Sequence, residues 1–298
     1  MKKIQKITGG VMIGVTGFSV VLIIAIIIIM LVVIIIGGKN QLTWAFLTSF
    51  PEEGMTKGGI FPALFGTALM VIIMSAAAVP FGAITALYLT EYARESSWIA
   101  KTVQFAVRTL SMVPSIIFGL FGLGFFIKFV GGGMDKAFFG GQLTWAQPNI
   151  LWASLTMALL TLPVVIVSVE ESIKTVPREL REASLALGAT KWQTIRKVVL
   201  PGSRSGILTG TILAVSRGAG EVAPILFTGA AYYLATLPRG LSDQFMSLGY
   251  HIYIMSTQSV NVDQTLPIQF ATTLVLLLLT FTLNLVAVLI RSRLRRAH

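Results

Sequence analysis

From Val11 to Ile36 the chain carries no charged side chain. Roughly 20 predominantly apolar residues suffice to cross the hydrocarbon core of a bilayer, so this run is long enough on its own. Lys2, Lys3 and Lys6 precede it, in the layout of a secretory leader. A leader's apolar centre, however, holds only roughly 7–15 residues and is closed by a small-x-small cleavage site, which is missing here. A retained first span is therefore expected. Further apolar runs follow near 61–90, 109–129, 150–169, 207–235 and 266–290. Composition agrees: 55% of the residues are apolar and 12% charged, about half the charge of an ordinary soluble domain. The fold class implied is an all-α integral membrane protein with about six transmembrane helices, read as one membrane domain over residues 1–298.

The net charge of +11 invites a reading as a nucleic-acid binder, but its distribution points elsewhere. With both termini in the cytoplasm, seventeen basic residues fall inside: Lys2, Lys3 and Lys6; Arg94, Lys101 and Arg108; Lys174, Arg178, Arg181, Lys191, Arg196, Lys197 and Arg204; and Arg291, Arg293, Arg295 and Arg296. Only five, Lys39, Lys57, Lys128, Lys136 and Arg239, lie outside or at the outer rim. Lysine and arginine concentrate on the cytoplasmic side of membrane proteins. The expected location is thus the cytoplasmic (inner) membrane, multi-pass, with membrane lipid as surroundings and no nucleic-acid partner.

Catalytic and metal chemistry find little footing. The chain has no cysteine and two histidines, His251 and His298, which leaves no thiolate or histidine-rich metal centre. The pattern G-x-x-x-x-G-K-[ST] that cradles nucleotide phosphates is missing, as are H-E-x-x-H and G-x-S-x-G. A non-catalytic protein with no cofactor of its own is expected. Gly206 and Gly210 form a small-xxx-small pair suited to close helix packing. Between residues 237 and 264, Met246, Tyr250, His251, Tyr253 and Met255 suggest a short helix lying at the outer interface or re-entering the bundle, with His251 an interfacial residue.

The longest inner segment, Glu170 to Ser205, is patterned rather than merely charged. Pro177 suits the first turn of a helix through Arg178–Leu187, stopped by Gly188. Thr190 and Gln193 form a T-x-x-Q capping box for a second helix ending at Leu200–Pro201. Two short helices around a glycine make a knob that presents Ala183, Leu185, Leu187 and Trp192 to the cytoplasm, a docking surface.

Glu182-Ala183-Ser184, then Gly188, then Val198-x-Leu200-Pro201 resembles the E-A-A-x3-G-x9-I-x-L-P motif of the permeases of ATP-binding-cassette importers, with Ser184 and Val198 as departures. In that family the motif builds the coupling helices that sit in a groove of the ATP-binding subunit. Val113-Pro114-Ser115-Ile116-Ile117-Phe118-Gly119-Leu120-Phe121-Gly122 and Ser216-Arg217-Gly218-Ala219-Gly220-Glu221-Val222-Ala223-Pro224-Ile225-Leu226-Phe227-Thr228 are similar to the phosphate-importing members, in the form of the PstA-type subunits. The resemblance implies a half-pore that couples to a separate ATPase. Its partners would be a PstC-type permease subunit, two copies of a PstB-type ATP-binding subunit that uses the ATP, an extracytoplasmic phosphate-binding protein, and phosphate itself. Some relatives carry an arginine near the end of the fourth span where this chain has Val167. A permease for another oxyanion or solute, or a membrane scaffold that signals phosphate supply, are the alternatives.

Arg217 is expected near the middle of the fifth span, with Glu221 four residues on and on the same helix face. An arginine at the bilayer centre costs roughly 2.5–3.5 kcal/mol on insertion scales, so such a residue usually faces protein or an aqueous path. One reading makes the pair an internal staple between helices. The other makes Arg217 a bidentate donor to a tetrahedral anion, with Glu221 holding it between transits.

Overall fold

The computed structural model describes residues 2–94, 96–234, 236–259 and 262–296. A long helix α1 (Lys2–Gly38) leads through a short α2 (Trp44–Thr48) and a two-stranded hairpin of β1 (Pro51–Glu52) and β2 (Lys57–Gly58) into α3 (Phe61–Leu87). There follow α4 (Trp98–Met112), α5 (Ser115–Phe121), α6 (Gly132–Phe138), α7 (Ile150–Lys174), α8 (Arg178–Ala186), α9 (Lys191–Thr194), α10 (Leu200–Ala219), α11 (Ile225–Thr228), α12 (Leu248–Thr257) and α13 (Val262–Arg296). Among the described residues six helical segments are long and apolar enough to cross a membrane. They run Met12–Gly38, Phe61–Tyr92, Ser115–Phe138, Ile150–Lys174, Lys191–Ala219 and Val262–Val286.

The central column is α7, against which α3 and α10 pack. In lipid the surroundings are as apolar as a leucine side chain, so helices associate through small residues and close contact rather than through the hydrophobic effect. The sequence supplies that contact. A β-carbon added at Gly210 would fall 2.3 Å from Ser168 Cβ, and one at Gly206 2.5 Å from Ser172 Oγ. Gly82 of α3 likewise leaves room for Val165. Hydroxyls along α7 satisfy themselves: Ser154 donates to the Ile150 carbonyl and Thr156 to that of Trp152, each at 2.7 Å. No water is needed there. By contrast, the described apolar side chains of α1 are mostly exposed, and α1 meets the bundle along α13, where Gly37 and Gly38 abut Phe270 and Ala271.

Two span limits read from hydropathy are corrected. The segment near 109–129 crosses a break at Val113–Pro114, because the residue before proline is driven out of the helical region. Val113 is extended (φ −73°, ψ 129°). The apolar crossing begins at Ser115 and reaches Phe138, and ten residues of it, Gly122–Gly131, are π-helical. Likewise the segment near 207–235 crosses only as far as Ala219. The helix stops at Gly220, and a short α11 and irregular chain follow.

Nor does the second inner helix end at Leu200–Pro201. It continues from α9 through a π-turn over Ile195–Val199 into α10. Proline lacks an N–H and its ring crowds the carbonyl four residues back. Here that carbonyl belongs to Lys197, inside the widened turn. The outer segment is corrected as well. α12 packs into the bundle against α13 and α3, with Leu248, Met255 and His251 buried, so His251 is an interior residue rather than an interfacial one.

Candidate functional site

Arg217 occupies the last turn of α10 rather than the middle of a span. Glu221 lies just beyond the helix, its backbone N–H bonded to the Gly218 carbonyl. Arg217 Nε and Glu221 Oε1 stand 3.9 Å apart, at the outer limit of an ion pair and well beyond hydrogen-bond length. The guanidinium is 70% exposed and the carboxylate 25%. The pair is therefore open, with nearly all donor capacity of Arg217 unspent among the described residues.

Both side chains line a cleft of about 290 Å³ shared with Ser111, Val113, Pro114 and Ser115 at the α4–α5 break and with Thr161 and Pro163 of α7. The position of the cleft is fixed by tight packing beneath it. A β-carbon at Gly218 would meet Met74 and Thr161, and one at Gly119 would meet Pro224 and Phe227. The segment after Glu221 is thus clamped between α5 and α7, with Thr228 accepting at its carbonyl from the Asn149 N–H at 3.0 Å. A basic, solvent-open group beside a chain break, over a rigid floor, can hold an anion loosely. One wall is interrupted at Val113–Pro114, and in the other Pro163 leaves α7 without one backbone N–H.

At the other end of the molecule the glycine-centred knob has the geometry its residues imply. Gly188 adopts φ +84° with open space around its α-carbon, a conformation that costs L-residues energy and glycine little. The Thr190 hydroxyl and Gln193 side chain form the reciprocal capping box. Ser184 and Thr194 share a hydroxyl hydrogen bond of 2.9 Å that ties α8 to α9. Glu182 and Ala183 face solvent, as do Leu185, Trp192 and Leu187, the last 89% exposed. Val198, Leu200 and Pro201 are half-buried in the helical run that continues from α9 into α10. The knob thus carries an exposed apolar ridge, the kind of patch that marks protein-interaction sites on other proteins.

The sequence reading overlooked Glu91. It sits in a π-turn, Tyr88–Tyr92, at the end of the second span, and meets Arg181 of α8 at 3.1 Å. A glutamate closing an apolar run beside a loop rich in arginine was the signal available. Nothing in the spacing indicates which arginine it takes.

Among the described residues the chain has six helices long and apolar enough to cross a membrane, a cleft around an open arginine, and a helix–glycine–helix knob away from the β1–β2 hairpin, parts that a membrane permease of the ATP-binding-cassette class needs. The chain belongs to the family of binding-protein-dependent transport system inner membrane components, whose pattern it matches over residues 78–296. It is a multi-pass inner-membrane protein of a family that works with an ATP-binding partner and a substrate-binding protein.

Among its relatives are a probable ABC transporter permease, YqgI, of Bacillus subtilis, 30% identical over 87% of each chain, and the phosphate transport system permease PstA of Yersinia pestis, 37% identical over 68% of this chain and 59% of the relative. The PstA of Xylella fastidiosa is 34% identical over 68% of each chain. The match to the Mycobacterium leprae PstA spans about half of that protein, 52%. In architecture the chain is similar to the MetNI methionine ABC transporter in an inward-facing conformation, with a TM-score of 0.58 at 19% identity over 78% of this chain and 94% of that one.

Proposed function

We propose that the chain is the PstA-type half of the membrane pore of an ATP-driven inorganic phosphate importer. In this reading it pairs with a PstC-type subunit, two PstB-type subunits hydrolyse the ATP, a phosphate-binding protein delivers solute from outside, and the chain itself binds no cofactor. The observation that carries the substrate is Arg217. Its guanidinium is exposed in a cleft and is not saturated by Glu221 at 3.9 Å, and a planar fork of donors suits a tetrahedral oxyanion. Weak holding fits a pathway, where a solute must leave as readily as it enters. Docking is assigned to Glu182, Ala183, Ser184, Gly188, Val198, Leu200 and Pro201.

Phosphate uptake into vesicles holding the full complex tests this reading. Arg217→Gln and the apolar double variant Arg217→Met/Glu221→Leu should each lose uptake at least tenfold while retaining the ATPase on purification. Glu221→Gln should be milder. If the two residues served only to staple helices, apolar residues of similar volume should replace them, so near-normal uptake by the double variant would return Arg217 to a structural role. A wild-type complex that takes up another anion but not phosphate would reject the substrate.

A further inference from the structure

Apart from its cap and turn, α8 is poorly attached. None of its residues is buried, and Ser184 ties it only to α9. Among the described residues, the side-chain hydrogen bonds that join α8 to the membrane bundle all come from Arg181. Its Nη1 donates to the Val176 carbonyl at 2.5 Å and its Nη2 to the Ile173 carbonyl at 2.9 Å. Its Nε donates to Glu91 Oε1 at 3.1 Å, with Nη2 at the same distance from that oxygen. The side chains are 19% and 11% exposed. One guanidinium thus caps the carboxyl end of α7, grips the end of the second span and belongs to the knob, using the rigid fork that lysine lacks.

What these two anchors lead to gives the contact a purpose. Ile173 lies on α7, whose Thr161, Pro163 and Val164 wall the Arg217 cleft. Ten residues of helix, about 15 Å, separate Pro163 from Ile173. Glu91 lies on a π-turn, a feature frequent at functional sites, at the end of the helix in which Gly82 is packed on Val165. The ends of α3 and α7 near Glu91 and Ile173 share one apolar cluster with Ala100 and Val107 of α4 and Val199, so close packing ties them to one another. A second contact runs beside the first: Lys191, at the start of α9, stands 5.0 Å from the centre of the Tyr92 ring.

We propose that Arg181 is the strut that converts movement of α8 into movement of α3 and α7, a positioning residue for coupling that touches neither nucleotide nor solute. The inference rests on α8 being the element docked to the ATPase. The contact persists throughout the cycle, because its function is transmission and not switching. Losing it leaves the knob docked but loose, so that ATP is hydrolysed without moving the cleft.

The test uses the full complex in vesicles and reads phosphate taken up per ATP hydrolysed, together with the ATPase retained on purification. Arg181→Met should keep the ATPase and lower uptake per ATP at least fivefold, Arg181→Lys should be intermediate, and Glu91→Gln should lower it two- to threefold. Because the chain has no cysteine, Glu91→Cys/Arg181→Cys can be bridged by a short bifunctional thiol reagent. The unbridged pair should be uncoupled, and bridging should restore the ratio to within about twofold of wild type. Unchanged ratios in Arg181→Met and Glu91→Gln would overturn the strut, as would a bridged pair that stays uncoupled. If Arg181→Met fails to assemble, the Glu91→Gln ratio decides alone, since that variant leaves both carbonyl bonds of Arg181 intact. Failure of the docking assignment reads differently: Gly188→Asp would then transport normally, whereas under the docking reading it is uncoupled whatever Arg181→Met does.

Discussion

At residue 251 an imidazole sits in α12 with 2% of its surface exposed, and its Nδ1 has no hydrogen-bond partner. Burial lowers its pKa from 6.5 to about 4, because charging the ring there would cost its hydration. Above pH 6.5 the ring is neutral in folded and unfolded chains alike and contributes no pH dependence. As pH falls below 6.5 the unfolded chain takes up a proton that the folded chain refuses, so stability declines until about pH 4. A shift of this size corresponds to a loss on the order of 3 kcal/mol. The thermal midpoint of the purified protein should therefore fall between pH 7 and pH 4.5, and His251→Gln should flatten that decline. Parallel curves for the two proteins would remove His251 as the cause. In the sequence the same histidine stands among Tyr250, Tyr253 and two methionines, a mixture that suits an interface as well as an interior. Only the packing of α12 on α13 and α3 distinguishes them.

Among the elements, α10 shows how a helix of modest hydropathy is held. Its contact with α7 is made through absent side chains: Gly206 and Gly210 admit Ser172 and Ser168 at distances no β-carbon tolerates. Gly210→Leu should force α10 away from α7 and destabilise the protein by a few kcal/mol, the range of overpacked cores. An exposed position one turn away, Leu213→Ala, should change it little. Equal shifts in the thermal midpoint would contradict the contact. The small-xxx-small spacing made this interface readable, and Gly188 and the capping box made the knob readable, because each is a local rule that neighbouring residues satisfy by themselves. Hydropathy failed where proline and glycine interrupt apolar chain. It extended the third span across Val113–Pro114 and the fifth beyond Gly220, since a sum over side chains cannot register a backbone that has left the helix. That error put Arg217 mid-span, whereas it closes α10 beside an irregular turn, where an open cleft is easier to build. The Glu91–Arg181 pair stayed hidden because it joins residues 90 positions apart, and such pairing follows from the tertiary arrangement.

At the scale of the whole molecule, contacts sort the connecting segments into two groups at opposite ends of the bundle. At one end the Tyr233 hydroxyl reaches the Pro51 carbonyl, Ile150 N–H bonds the Asp243 carbonyl and Leu151 N–H the Leu241 carbonyl. This joins the hairpin after α1, the start of α7 and the segment before α12. At the other end Arg181 meets Glu91 and Lys191 covers Tyr92, joining the knob to the end of the second span. The fold thus fixes which loops share a side, and from the distribution of basic residues we propose that the end holding Arg178, Arg181, Lys191, Arg196 and Lys197 faces the cytoplasm. On that proposal both termini share the cytoplasmic side, because six crossings return the chain to the side it left. Single cysteines in this cysteine-free chain make the arrangement measurable in intact cells with an impermeant thiol reagent. Lys57→Cys, Lys136→Cys and Asp243→Cys should react from outside, while Gly188→Cys and Arg94→Cys should react only after the membrane is opened. Inversion of the whole pattern would keep the fold and reverse the charge argument. A mixed pattern, with Lys57→Cys and Asp243→Cys on different sides, would contradict the packing of the hairpin against the segment before α12.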